Sequence, residues 1–290
     1  VTADAPKAKY QERTTGSADS QLEMLKKLEL PLWAFEELKK YCEQKGILFM
    51  STPFDSFCVD FLDTIGMSVF KIPSGELNNP FFLSHIARKE KPMIVSTGMA
   101  TLDEVHAAVQ IILNAGNPQF ALLHCVSNYP ADPKDINLLS MLTLQKIFKV
   151  PVGFSDHTMG HEVALAARAL GASVIEKHIT LDRRLSGPDH QASLEPKEFC
   201  EMVKGIRIVE QSLGNNNKHP CEAELEVAKV ARKSLVAKKD ILQGSRLILD
   251  WVEVKRPGTG LAPAILSRLI GLKVRKNILA GTFLTLDMFE

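Results

Sequence analysis

No apolar run in this 290-residue chain approaches the roughly 20 residues needed to cross a bilayer. Val1 to Tyr10 also lacks the apolar core of a secretory signal. Five cysteines (Cys42, Cys58, Cys125, Cys200 and Cys221) are scattered without C-x-x-C spacing. That excludes a zinc cluster or a disulfide frame and points to free thiols in a reducing compartment, so the expected location is the cytoplasm. Long Lys/Arg runs are absent; a pair such as Lys238-Lys239 reads as solvated surface. With a net charge of +1, neither nucleic acid nor a membrane is an expected partner.

What is present is ordinary globular composition, 45% hydrophobic and 24% charged, in a chain long enough for one large domain and a small one. The stretch through Ser20 is polar and aperiodic and reads as a loop. Pro31 to Lys45 has an amphipathic helical pattern, with Gly46 as its stop. Short runs rich in β-formers then recur at Ile47–Phe54, Val69–Pro73, Pro92–Thr97, Phe120–Val126, Pro151–Ser155 and Ser173–Ile179. Helical segments separate them; in Leu102 to Leu113, Val105, Ala108, Val109 and Ile112 share one face. Leu138 to Phe148, His161 to Leu170 and Glu195 to Leu213 are others.

Strand and helix in alternation imply parallel βαβ units, and about six in series predict an α/β fold of the eight-stranded (β/α)8 barrel type. Only six strands are found and the chain opens inside an apparent loop. The first two strands are therefore expected to be missing from this chain. The expected domains are the barrel over 1–213, a linker over 214–231 that includes the turn-rich Gly214 to Pro220, and a small β-rich domain over 232–290.

In a parallel barrel the polar residues at strand C-termini face the active site. They are Ser51, Thr52, Lys71, Ser74, Glu76, Ser96, Thr97, His124, Ser127, Tyr129, Ser155, Asp156, His157, Glu176 and His178. Hydroxyls with a lysine suit an anionic ligand such as phosphate, and two imidazoles suit a borderline divalent cation. By strand parity, Glu176 and His178 share the barrel interior and Lys177 points out to the helices. Strand-end serines and threonines also serve as helix caps, and a strand-end histidine can be purely structural. Unaided, these residues read as a barrel enzyme with an anionic substrate and a metal.

The same residues lie in the strings STPFD (51–55), KIPSGELNN (71–79), STGM (96–99), HCVSNYPADP (124–133), GFSDHTMG (153–160), IEKHITLD (175–182) and GPDHQASLEP (187–196). In this order and spacing they resemble the sialic acid synthase family, and VKRPGTGL (254–261) resembles its antifreeze-like SAF domain. The resemblance spans essentially the whole chain. It implies a transferase that condenses phosphoenolpyruvate with an N-acylated amino sugar, N-acetylmannosamine giving N-acetylneuraminate. It implies a divalent metal, usually Mn²⁺, with Mg²⁺ or Co²⁺ as alternatives, on His157 and His178. Thr52, Lys71, Ser74, Ser96 and Ser155 match positions that hold phosphoenolpyruvate; Ser127 stands where some members have Asn. Glu76, Tyr129 and Asp189 match positions near the sugar and the reacting carbons. Arg256 matches an arginine that reaches a partner subunit's barrel, which implies a domain-swapped homodimer. The family's opening AEIG-N-H-G-like strand and its second strand ending in Lys-x-Gln have no counterpart here, so an open barrel, inactive by itself, is expected.

Three other readings stay open at this point. A diacetamido trideoxy hexose would give legionaminate or pseudaminate. Lys71 could instead form a Schiff base in a metal-free aldolase. A non-catalytic protein could use the SAF-like part as a binding module.

Overall fold

The computed structural model describes residues 1–16 and 18–290. The chain divides into two compact units, Val1–Gly214 and Asn215–Glu290. The first holds α1 (Lys9–Thr15), α2 (Gln21–Lys26), α3 (Leu32–Lys45), α4 (Ser56–Thr64), β1 (Phe70–Ile72), α5 (Pro80–Ala87), β2 (Met93–Ser96), α6 (Leu102–Asn114), β3 (Phe120–Cys125), α7 (Ser140–Phe148), β4 (Val152–Asp156), α8 (Glu162–Ala169), β5 (Ile175–Lys177) and α9 (Pro196–Ser212). The second holds α10 (Glu222–Ala231), β6 (Ser234–Ala237), β7 (Val252–Lys255) and α11 (Leu266–Leu269).

β1 to β5 pair in sequence order, all parallel, into one sheet. Strand parity sorts their side chains. Phe70, Ile72, Met93, Val95, Phe120, Leu122, Val152 and Phe154 are buried in one core with Val59 and Leu62 of α4, Leu83 and Ile86 of α5, Val105, Val109 and Ile112 of α6, and Met141 and Leu144 of α7. Each fully buried side chain of this size contributes about 1.5–3 kcal/mol. The intervening residues (Lys71, Ser96, Cys125, Ser155 and Glu176) take the opposite face, so the apolar alternation that builds the core also delivers the polar set to one side.

Local signals fix the helix ends. Thr101 and Glu104 form a reciprocal box at the start of α6. Asp55 caps α4 through Cys58 N–H at 2.7 Å. Gly46 ends α3 in the left-handed region, at φ 70°. Gly153 is required for close packing: a Cβ there would strike the Val174 carbonyl oxygen and come within 2.6 Å of Leu123 Cδ2.

Three expectations change. Ile47–Phe54 is not a strand; it is extended but joins no ladder, and Ile47 and Leu48 are each 61% exposed. A β-favouring run becomes a strand only where a neighbouring edge takes its hydrogen bonds. The sheet therefore has five strands, a curled half-barrel rather than a closed eight-stranded one. The opening segment is not all loop, since α1 and the start of a tied lobe lie there; of the residues expected as loop, Ser17 lies outside those described. Lys7 Nζ donates to Thr15 Oγ1 at 3.2 Å and to the Gly16 carbonyl at 2.9 Å, closing the lobe end to end.

In the second unit β6 and β7 pair antiparallel, and isolated bridges extend the pairing to Phe283 and Ile278. Leu235, Ile241, Leu247, Val274, Ile278 and Leu284 form its own core. Among the described residues no helix is long and apolar enough to cross a membrane.

Candidate active site

The loops after β1 to β5 gather a polar cluster. Lys71 Nζ on β1 donates to Ser96 Oγ on β2 at 2.8 Å and lies 3.3 Å from Glu176 Oε2 on β5. Ser155 on β4 donates to Glu176 Oε1 at 2.7 Å. Lys71, Ser96 and Ser155 are buried, which strengthens this charge-assisted network. Beside it, Ser74 Oγ accepts from Gly98 N–H at 3.0 Å and lies 3.2 Å from Cys125 Sγ. A Cβ at Gly98 would sit against Ser127 Oγ and 2.8 Å from both Ser74 Oγ and Cys125 Sγ, so the glycine keeps an open cradle lined by hydroxyls.

Two imidazoles face this network. Their ring centroids are 5.5 Å apart, nearly perpendicular at 77°. His157 Nδ1 lies 2.7 Å from the Val126 carbonyl, an acceptor only, so the proton sits on Nδ1 and Nε2 keeps its lone pair, 3.3 Å from Ser155 Oγ. Burial pushes the His157 pKa down, which keeps that ring neutral. His178 Nδ1 lies 3.9 Å from Asp189 Oδ2. The other oxygen, Asp189 Oδ1, is buried without a hydrogen-bond partner among the described residues. Burial raises the Asp189 pKa, offset by His178 and His190.

The ring of Tyr129 packs 4.1 Å from His157 and 5.4 Å from His178. Its phenol pKa is raised, first by burial. Glu76 accepts from Asn79 Nδ2 at 2.8 Å, and Asn79 in turn caps α5. Thr52 is half-buried, and its side chain makes no hydrogen bond among the described residues. Arg256 is exposed on the second unit, just past β7, in a loop fastened by Ser234, which donates to the Pro257 carbonyl at 2.7 Å and accepts from Gly260 N–H at 2.9 Å.

Of the predicted residues, then, Lys71, Ser96, Ser155, His157, Tyr129, His178 and Asp189 are joined by contacts, Ser155 meeting His157 Nε2 at 3.3 Å, while Ser74 and Ser127 line the cradle at Gly98. The same contacts do not include Thr52, Glu76 or Arg256. His124 belongs to the other face: its Nε2 donates to the Ile136 carbonyl at 2.7 Å and its ring lies 5.9 Å from that of Phe154. Two further residues join the cluster. Glu176 joins Lys71 to Ser155, which its inward parity signalled. Tyr10, from the opening lobe, stacks on Tyr129 at 5.0 Å, and no local pattern announced it.

No group of three or more His, Cys, Asp or Glu side chains among the described residues could by itself hold a metal. Two imidazoles with ring centroids 5.5 Å apart, one with its proton held on Nδ1 by a backbone acceptor and its Nε2 lone pair beside Ser155, fit a divalent cation whose remaining ligands come from substrate or water.

An ammonium–carboxylate network, a hydroxyl cradle and paired imidazoles on a parallel half-barrel define an enzyme for anionic small molecules. The NeuB family matches residues 1–218, and an SAF domain matches residues 232–290. The chain belongs to the NeuB family, and it is a transferase-class synthase. It is 41% identical to the N,N'-diacetyllegionaminic acid synthase of Legionella pneumophila, over 100% of this chain and 83% of that protein. It is 40% identical to the human N-acetylneuraminate-9-phosphate synthase, over 83% of this chain and 67% of that protein. Its fold matches the crystal structure of an N-acetylneuraminic acid synthetase from Leptospira borgpetersenii in complex with citrate, with TM-score 0.68 and 37% identity over 75% of this chain and 76% of that one.

Proposed function

We propose that the chain condenses phosphoenolpyruvate with the open-chain aldehyde of an N-acylated amino sugar and water, giving a nine-carbon sugar acid and phosphate. The observation that carries this reading is the Lys71–Ser96–Glu176–Ser155 network facing His157, His178 and the unpartnered Asp189 oxygen.

Lys71 is an ion-paired ammonium, suited to an anion; a Schiff-base nucleophile needs a free amine. With Ser96 and the Gly98 cradle it binds the phosphate and carboxylate of phosphoenolpyruvate. C3 of phosphoenolpyruvate forms the new bond to the aldehyde carbon, and positive charge develops at C2. Water adds at C2 and the C–O bond to phosphate breaks, the departing anion being stabilised by Lys71 and the hydroxyls. Asp189 accepts a hydrogen bond from the sugar, and Glu76 stands by as the carboxylate for the developing cation. A divalent cation, Mn²⁺ first, held by His157 and His178 supplies Lewis acidity toward a carbonyl oxygen when bound. Tyr129 packs on both imidazoles and holds them in place. Holding two substrates face to face supplies much of the rate, since effective molarities reach about 10⁵ M or more. Arg256 of a second copy meets the sugar's acyl group, which makes the active form a homodimer.

N-acetylmannosamine, giving N-acetylneuraminate, is one sugar reading. A diacetamido trideoxy hexose, giving legionaminate, is the second, favoured by a Legionella relative that matches the full length of this chain. Phosphate release from phosphoenolpyruvate with Mn²⁺ and each sugar, followed by product mass, tests both. No release with any amino sugar would remove the synthase reading.

A further inference from the structure

The opening lobe carries an aromatic ring into the site. α1 presents Tyr10, whose ring centroid lies 5.0 Å from that of Tyr129, tilted by 35°. Tyr129 then meets His157 and His178, so Tyr10 is the outermost ring of one stack. The lobe is not a loose end. Lys7, itself buried, ties Thr15 and Gly16; Ala8 N–H donates to Gln11 Oε1 at 2.9 Å; Gln21 N–H donates back to the Ala5 carbonyl at 3.4 Å. The ring is therefore held in place by contacts on both sides of its helix.

Tyr10 is half-buried. Burial, reinforced by the charge of Asp189, raises its phenol pKa to about 12, so it stays neutral through the physiological range. Two neutral phenol rings thus form an apolar wall, while Asp189 Oδ1 is an acceptor in want of a donor. A sugar that fits both must present an apolar flank to the rings and a hydroxyl or amide N–H to the carboxylate. A methyl in place of a hydroxymethyl, or an added acyl methyl, improves the first contact and leaves the second intact.

We propose that Tyr10 is a specificity-determining residue for the amino sugar, its ring and that of Tyr129 forming the wall that selects a deoxygenated, doubly acylated hexose over N-acetylmannosamine. This rests on the synthase reading above and names the side chain that chooses the sugar. One apolar contact of this size discriminates about 10- to 200-fold.

The test compares the full-length protein with its Tyr10→Ala, Tyr10→Leu and Tyr10→Phe variants. KM and kcat are measured for phosphoenolpyruvate, N-acetylmannosamine and the diacetamido trideoxy hexose, with circular dichroism confirming the fold. Tyr10→Ala is expected to raise KM for the trideoxy sugar about tenfold and to cut its kcat/KM advantage over N-acetylmannosamine by a similar factor, leaving KM for phosphoenolpyruvate within about twofold. Tyr10→Leu keeps bulk without a ring and loses part of the preference, which covers the case of an unstable alanine variant. Tyr10→Phe keeps the ring and the preference. An unchanged sugar ratio in Tyr10→Ala and Tyr10→Leu overturns the assignment, as does a loss shared equally with phosphoenolpyruvate. An unmodified protein that turns over neither sugar overturns the synthase reading itself, and the assignment with it.

Discussion

Lys177 Nζ donates to Asp156 Oδ2 across 2.9 Å, and neither side chain has any exposure to solvent. Lys177 also donates to the Thr158 carbonyl at 2.6 Å, while Asp156 Oδ1 accepts from Thr158 N–H at 2.9 Å and Thr158 Oγ1 at 2.7 Å. These bonds grip the chain on both sides of His157. Lys177→Met strands a buried carboxylate and is expected to cost about 3–5 kcal/mol, read from the denaturant midpoint. Adding Asp156→Leu should recover much of that loss. A single variant as stable as the parent would show that the pair does not secure this turn.

The pH dependence of stability has an assigned contributor in His124. Burial holds its folded pKa below the ordinary 6.5, against a smaller raising effect from the Ile136 carbonyl. As pH falls through about 6.5 the unfolded chain gains a proton that the folded chain refuses, so stability drops in that window and is constant above it. His124→Gln should reduce the fall in urea midpoint between about pH 7.5 and 5.5. An identical fall in both proteins would sink the assignment.

Removing either imidazole tests the metal. His157→Ala and His178→Ala in the full-length protein should each abolish Mn²⁺-dependent turnover without altering the circular dichroism spectrum. Full activity of either variant in chelator-treated buffer would take the cation out of the reaction.

Lys71 is assigned to the phosphate-bearing substrate. Its loss removes charge-assisted hydrogen bonds worth about 1.5–3 kcal/mol, so Lys71→Met should weaken phosphoenolpyruvate binding about 10- to 100-fold while sparing the sugar. Calorimetric titration with phosphoenolpyruvate measures this, and unchanged affinity would move the anion site elsewhere.

Arg256→Ala should raise KM for the sugar and spare phosphoenolpyruvate. Equal losses for both substrates would remove the arginine from sugar recognition.

Much of this arrangement was legible in the sequence because it is periodic. Val152, Phe154 and the adjoining Ser155 foretell a core face and a site face in β4, and in β2 the polar Ser96 at the strand end marks the site face after an apolar run. The parity of Glu176, Lys177 and His178 placed each on its observed side. What escaped depends on partners remote in the chain. Ile47–Phe54 has the composition of a strand, but pairing decides, and composition does not record it. α1 is marked by no hydrophobic stripe; it is held by the Lys7 tie. Tyr10 meets a ring 119 positions further along the chain, which no local reading reveals.

Gly153 lies at the root of β4, where its bare α-carbon lets the chain before β5 press close. The two staves that end in His157 and His178 therefore converge by the width of one missing methyl. Alanine there would wedge them apart, and a small splay at the base is carried along both rods to the rings at their tips. The gauge of the catalytic mouth is thus set at its foot, by an atom that is not there.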